Sequence, residues 1–332
     1  MALLSKEEIA HAKSLADRIV DGLNKRIFGQ EQLIRMIVVA CLSKGHVLLE
    51  GLPGLGKTEL VKGLAGLLGL NFKRIQFTPD LLPSDITGAP ILEEEQGKRR
   101  MVFKQGPIFG NLILADEINR ASPRTQAAML EAMQEQSVTV LGTTHMLPDP
   151  FWTMATQNPI DLEGTYPLPE AQLDRFLFKL LVYRVDADVM SRIISKRRRG
   201  IAPRSTTCLT QSELQNLYHT VGAIFLPEAV SEFIGRLVES THPDSTWACP
   251  EVKGFVRYGA SPRAAIGMAE AGRAHALLEG KPNVGFSDII AVAPHILGHR
   301  IALDYKARLE GWDAQKITEK VIESMPQLDM PA

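Results

Sequence analysis

The sequence is poor in cysteine, has no long apolar run and carries almost no excess charge. Its three cysteines, Cys41, Cys208 and Cys249, stand far apart and form no C-x-x-C pair, which argues against both a disulfide framework and a zinc site. No apolar run reaches the ~20 residues that a membrane-spanning helix requires, so no membrane insertion is expected. The first residues also lack a basic stretch followed by an apolar core and a small-residue cleavage site, so nothing directs secretion. A reducing cytoplasm fits these features. The formal net charge of −1 gives no global pull toward nucleic acid, and a nucleic-acid motor is therefore disfavoured.

What is present has the composition of a globular protein. The chain has 332 residues, 45% of them hydrophobic and 23% charged, enough for two domains, one large and one small. Ser5 and Glu8 make a capping box, and Ile9, Leu15, Ile19 and Leu23 follow at helical spacing, so the chain opens with an amphipathic helix. A second helix is expected over Glu31–Ser43. The apolar run Val47-Leu48-Leu49 then reads as a short buried strand leading into Gly51. The grammar repeats: a helix over Thr58–Leu68, strands near Arg74–Phe77 and Leu112–Ala115, a helix after Ser122, and strands at Trp152–Ala155 and Phe178–Val182. Such alternation predicts an α/β fold, a parallel sheet flanked by helices.

Two stretches break the pattern. Ile91–Glu94 and Arg99–Lys104 flank Gln96-Gly97, with Glu93–Glu95 before the turn and Lys98–Arg100 after it, and they read as a hairpin with opposite charges across its strands. Ser137–Leu141 and His145–Leu147, around Gly142-Thr143-Thr144, suggest a second hairpin. After about Asp186 helical windows dominate: Leu214–Val221, Glu228–Val238, Ala264–Leu278 and Ser287–Arg300. The expected division is therefore an α/β domain over 1–185 and a helical domain over 186–332. The basic run Lys196–Arg199 reads as a solvated helix end.

Gly51-Leu-Pro-Gly-Leu-Gly-Lys57-Thr58 satisfies the G-x-x-x-x-G-K-[ST] phosphate-loop pattern and stands between an expected strand and an expected helix, the context that the pattern requires. Its glycines let backbone N–H groups turn toward phosphates at a helix N-terminus. Lys57 is placed to reach the β and γ phosphates of ATP, and Thr58 to reach Mg2+. Nucleotide contacts are expected along Gly51, Pro53, Gly54, Leu55, Gly56, Lys57, Thr58 and Glu59. Leu112–Glu117 is an apolar strand ending in two carboxylates, which suits Asp116 to hold magnesium through water and Glu117 to act as general base. Asn158, in Ala155-Thr-Gln-Asn-Pro159, ends another expected strand where it could orient the attacking water. Arg175 could be a surface ion pair with Asp174. His295 and His299, four apart on an expected helix, have metal-ligand spacing but no further ligands nearby, which favours a packing role.

With these residues assembled, the sequence resembles the MoxR family of AAA+ ATPases over nearly its whole length. The motifs that carry the resemblance are Gly51–Thr58, Gln76-Phe-Thr-Pro-Asp-Leu-Leu-Pro-Ser-Asp85, Gln105-Gly-Pro107, Ala115-Asp-Glu-Ile-Asn-Arg-Ala121, Ala155–Pro159, Pro169-Glu-Ala-Gln-Leu-Asp-Arg-Phe176 and Gly259-Ala-Ser-Pro-Arg-Ala264. Related magnesium-chelatase ATPase subunits share much of this pattern. The resemblance implies that Asn158 is the sensor 1 residue, that Arg175 is an arginine finger reaching a neighbouring subunit, and that Arg263 is the sensor 2 arginine of a helical lid. It also implies that Gly29-Gln30 closes over the adenine, and that the two hairpins are the helix 2 and pre-sensor 1 inserts. One departure is Gly56, where family members often have alanine. The biology implied is a chaperone-like ATPase motor, commonly hexameric. Such a motor works with a partner bearing a von Willebrand factor A domain to mature a client complex that the residues do not identify. A nucleotide-gated protein-binding switch is the competing expectation.

Overall fold

The structure, a computed structural model, describes residues 4–95, 98–159, 164–197 and 207–325. The turn expected at Gln96-Gly97 lies outside the described residues, as do Arg198 and Arg199 of the basic run. In chain order, α1 (Lys6–Asn24) and α2 (Glu31–Leu42) precede β1 (Val47–Glu50), and α3 (Lys57–Leu68) leads to β2 (Phe72–Gln76). The short α4 (Pro83–Thr87) opens onto a hairpin of β3 (Gly88–Glu95) and β4 (Lys98–Gln105). Then come β5 (Leu112–Asp116), α5 (Pro123–Glu135), a hairpin of β6 (Ser137–Val140) and β7 (Thr143–Met146), β8 (Trp152–Gln157), α6 (Glu170–Leu173) and β9 (Phe178–Leu181). The remainder is α7 (Ala187–Lys196), α8 (Gln211–Ala223), α9 (Glu228–Glu239), α10 (Pro250–Phe255), β10 (Val256–Tyr258), α11 (Pro262–Leu278), α12 (Phe286–Leu297), β11 (Ala302–Leu303), α13 (Tyr305–Leu309) and α14 (Ala314–Ser324).

Five strands make one sheet in the order β2-β5-β8-β1-β9, and every neighbouring pair is parallel. Their alternation sends side chains to two apolar layers. Val47, Leu49, Leu112 and Leu114 join α1, α2 and α3 on one face, whereas Leu48, Ile113, Ala115 and Ala155 meet Met129, Leu130 and Met133 of α5 on the other. A parallel sheet needs this double cover because its strands are apolar on both sides. The first layer does not stop at the sheet: it continues through α1 and α2 into Leu217, Phe233, Met268, Ile289 and Ile296 of the later helices. The capping box at Ser5 is formed with Glu8, and Ile9, Leu15, Ile19 and Leu23 are all buried.

The structure revises two details. The second hairpin turns at Leu141-Gly142, a residue earlier than expected, because both residues take positive φ, 50° and 78°; paired positive φ gives a two-residue turn whose twist matches the strands. The helix expected over Ser287–Arg300 ends at Leu297 with Gly298 as its cap, so His299 lies just beyond the helix that carries His295. His295 packs edge-on against Phe178, and His299 lies 3.0 Å from the Phe176 carbonyl. No group of metal-ligating side chains occurs among the described residues, and none of their helices is long and apolar enough to cross a membrane.

Candidate functional site

The strand order decides which side chains meet. In a parallel sheet, ligands collect at the carboxyl ends of the strands. Here β8 lies between β1 and β5, so the ends of these three strands bring together the phosphate loop, Asn158 and the carboxylate pair. Glu50 stands opposite Gln157, and Ala115 opposite Ala155. The loop from Gly51 then turns into α3. Gly54 and Gly56 have φ of +83° and +82°, a region that costs an L-residue with a side chain roughly 1–2 kcal/mol. Glycine at position 56 suits this backbone without strain.

Lys57 donates from Nζ to the Gly51 carbonyl at 2.6 Å. Partial burial pulls its ammonium below the usual lysine range, against the opposing pull of Asp116, Glu117 and Glu50. The loop lysine therefore lies within electrostatic reach of Asp116, which ends β5, and of Glu117, which follows it. Glu50 itself pairs with Lys179 of β9 at 2.6 Å. Thr58 is partly buried in the first turn of α3. The Glu59 carboxylate turns toward the segment that follows α1, where Arg26 bonds it at 3.4 Å.

Asp116 and Glu117 are fixed by their neighbours. The Thr156 hydroxyl donates to Asp116 Oδ1 at 2.6 Å and accepts from the Glu117 amide at 2.8 Å, so one side chain of β8 sets both residues. Arg74 of β2 donates to Asp116 Oδ2 from Nε and Nη2, at 3.0 and 2.7 Å. Glu117 sits in the left-handed region at φ 56°, which turns its carboxylate out of the strand direction. Its Oε2 accepts from Gln76 and from Arg120, each at 3.0 Å. Asn158 follows β8 directly, one residue beyond the Gln157–Glu50 pairing.

Gly29 and Gln30 line a cleft of about 740 Å3 with Leu180, Tyr183, His295 and Gln315. Gln30 Nε2 donates to the Tyr183 carbonyl at 2.7 Å. The preceding carbonyl, that of Val182, lies so close to Gly51 that a Cβ there would meet it at 2.7 Å. Residues 182–183 thus bridge Gln30 and the start of the phosphate loop.

Arg175 and Arg263 lie elsewhere. Arg175 precedes β9, beside the amino ends of the strands, where the Leu177 amide bonds to the His46 carbonyl. From His46 to Gly51 the strand rise alone is about 15 Å. Arg263, at the start of α11, lines the same pocket of about 310 Å3 as Arg175, with Asp174, Gln134 and Arg300. The expected Asp174–Arg175 ion pair is absent. Asp174 pairs instead with Arg300 at 2.8 Å and with Arg263 at 3.6 Å, while Arg175 Nε is buried without a hydrogen-bond partner.

Sequence reasoning missed Thr156, Arg74, Gln76, Ser261 and Arg300. A threonine in an otherwise apolar strand end was a signal of sorts. Arg74 and Gln76 carried none, because their alternation on β2 acquires meaning only once β2 is paired with β5.

Known proteins resemble this chain over nearly its whole length. A family model described as the ATPase family associated with various cellular activities (AAA) matches residues 46–178, and one for the AAA lid domain matches residues 251–321. The chain is 42% identical over 317 residues to the Bacillus subtilis protein YeaC, covering 94% of each. It is 40% identical over 326 residues to Chaperone MoxR1 of Mycobacterium tuberculosis, covering 97% of this chain and 85% of the relative. A crystal structure of a candidate ATPase from Cytophaga hutchinsonii superposes with a TM-score of 0.87 at 36% identity, covering 96% of both chains.

Proposed function

The chain belongs to the MoxR family of AAA+ ATPases, and from that premise we propose that it hydrolyses ATP and uses the cycle to remodel or mature a protein complex. The observation that carries the reading is the convergence of Lys57, Asp116 and Glu117 at the carboxyl ends of β1 and β5. In this reading residues 1–185 bind the nucleotide and residues 186–332 form the lid. The backbone of Gly51–Glu59 cradles the phosphates, and Gly29-Gln30 closes over the adenine through the Tyr183 contact. Lys57 leaves the Gly51 carbonyl to hold the β and γ phosphates.

Thr58 and Asp116 offer hard oxygen donors, the kind that magnesium takes in small number alongside phosphates. Bound with ATP, Mg2+ neutralises charge on the β and γ oxygens. Glu117 accepts the proton of the attacking water. Its bonds to Gln76 and Arg120 both fall on Oε2, which leaves Oε1 for that water, and Asn158 orients it. Those same bonds also favour the alternative of a switch that turns over slowly until a partner acts; steady-state rates with and without the partner separate the two.

Arg175 and Arg263 work in trans in this reading. Both sit in the pocket at the amino ends of the strands, a strand length from the subunit's own phosphate loop. A homo-oligomer, a hexamer by family pattern, would carry them to the γ-phosphate bound by the neighbour. A partner with a von Willebrand factor A domain and an unidentified client complete the proposal. The test is a mixing experiment. Lys57→Ala should lose tight ATP binding, and Arg175→Ala should bind ATP but turn over about 10³–10⁵-fold more slowly. Mixed, the two should regain partial ATPase activity, because some interfaces then join an intact loop to an intact finger. A rate that stays at the level of the separate variants at every mixing ratio, despite verified subunit exchange, would return Arg175 to a structural role.

A further inference from the structure

Arg175 acts only if its guanidinium is both presented and uncompensated. A neighbouring carboxylate is the residue best placed to cancel it, and Asp174 is covalently next to it. Yet Asp174 directs its charge elsewhere. Its carboxylate accepts from Arg300 Nε at 2.8 Å and from the Ser261 hydroxyl at 3.1 Å on each oxygen, and it pairs with Arg263 at 3.6 Å. All three partners come from the lid. None comes from the sheet domain that carries Asp174.

Arg300 shows how tight this fastening is. Its side chain is 3% exposed, and besides the carboxylate it donates to the carbonyls of Asp174 (3.0 Å), Phe176 (2.6 Å) and Leu177 (3.2 Å) and to that of Ile296 (2.6 Å). The carbonyls on either side of Arg175 are thus held by one lid guanidinium. Arg263 is tied to the same carboxylate, and its amide is bonded to the Ser261 hydroxyl at 3.3 Å. Of the three arginines in this pocket, Arg300 and Arg263 pair with Asp174, whereas Arg175 does not and its Nε is buried without a hydrogen-bond partner.

We infer that Asp174 is a positioning residue for hydrolysis in the neighbouring subunit: by binding Arg300, Ser261 and Arg263 at once it locks Arg175 and Arg263 into one block that is delivered across the interface together. The inference rests on the trans reading above. It makes Asp174 part of the finger although it touches no nucleotide, and it means that lid position and finger position change together. A finger tip displaced by ~1 Å costs on the order of 10²-fold in rate, so loosening the block has a kinetic signature.

The experiment uses full-length Asp174→Asn, which keeps an acceptor for Ser261 and loses the charge. ATP-analogue affinity should match that of the unaltered protein, and turnover should fall about 10–100-fold. Mixed with Lys57→Ala the variant should regain activity, and mixed with Arg175→Ala it should not, since the last two then lack the same half of the interface. A merely structural defect would weaken the variant's own nucleotide binding and would not be complemented. Normal turnover, lost ATP binding by folded protein, or no recovery with Lys57→Ala under conditions where Arg175→Ala does recover would each overturn the inference. If Arg175→Ala itself is not complemented, the trans reading falls and takes this inference with it. Should Asp174→Asn not fold, Ser261→Ala decides: it removes the one hydroxyl donor shared by the two carboxylate oxygens and should show a smaller loss of the same complementation class. Unimpaired turnover there overturns the proposal.

Discussion

At the scale of single residues, the site depends on which atoms are already committed. Glu117→Gln keeps the shape of the side chain and its contacts to Gln76 and Arg120, but cannot take a proton from water. ATP binding should persist while turnover falls about 10²–10⁴-fold, read as steady-state phosphate release beside analogue titration; normal hydrolysis would remove Glu117 from the role of base. His46 makes a different kind of prediction. It is buried with Nε2 at 3.1 Å from the Met133 carbonyl and Nδ1 accepting from the Thr153 amide at 3.0 Å. That pairing needs the neutral ring, and burial lowers its pKa from 6.5 to about 4. As pH falls through 6.5 the unfolded chain binds a proton that the folded chain refuses until about 4, so stability present above 6.5 is lost across that window, by up to about 3 kcal/mol. Denaturant midpoints at pH 7 and pH 5 should separate more widely for the unaltered protein than for His46→Gln. Equal separations would show that His46 is not the group concerned.

At the scale of elements, the β6–β7 hairpin carries a local conflict. Leu141 occupies a left-handed position at φ 50° while 77% exposed, so the fold gains no burial there to offset the strain. Leu141→Asn should raise the melting temperature through a gain on the order of 1 kcal/mol, measured by thermal unfolding. A lower melting temperature would mean that the leucine has a packing role. This turn also marks where the sequence stops being readable. The strand–loop–helix at Val47–Leu68 was legible because glycines, a lysine and apolar periodicity coincide, and α5 because a Ser122-Pro123 cap precedes an apolar side of Ala127, Ala128, Leu130 and Met133. The turn at Leu141 was not, since leucine has no preference for positive φ and the hairpin register decides. In the site, Lys57, Asp116 and Glu117 were legible as residues, because their order along the chain is the signal. Asp174's partners were not: Arg300 lies 126 positions away, and only the docking of α11 and α12 against the start of β9 joins them. His295 and His299 were legible as packing residues, because metal-ligand spacing with no further ligand nearby already favoured that role, and they meet Phe178 and the Phe176 carbonyl.

At the scale of the whole molecule, one apolar layer runs from the sheet through α1 and α2 into α11 and α12. Division into a nucleotide domain and a lid therefore does not divide the core, and unfolding of the lid should expose α1 and α2 as well. Calorimetry should give a single transition with equal calorimetric and van't Hoff enthalpies; two resolved transitions would show that the parts unfold separately. The strand direction has a consequence of its own. The phosphate loop lies at the carboxyl ends of the strands and the arginine pocket at their amino ends, so on the trans reading each copy has one face that gives and another that receives. Copies then associate head to tail, unlike a twofold dimer in which the same patch meets itself. A pair of copies completes one centre and leaves the other half-built, and any open chain has one fewer working centre than it has members. Only closure equalises them, so the rate per subunit should climb with assembly size and level off when the last face finds the first.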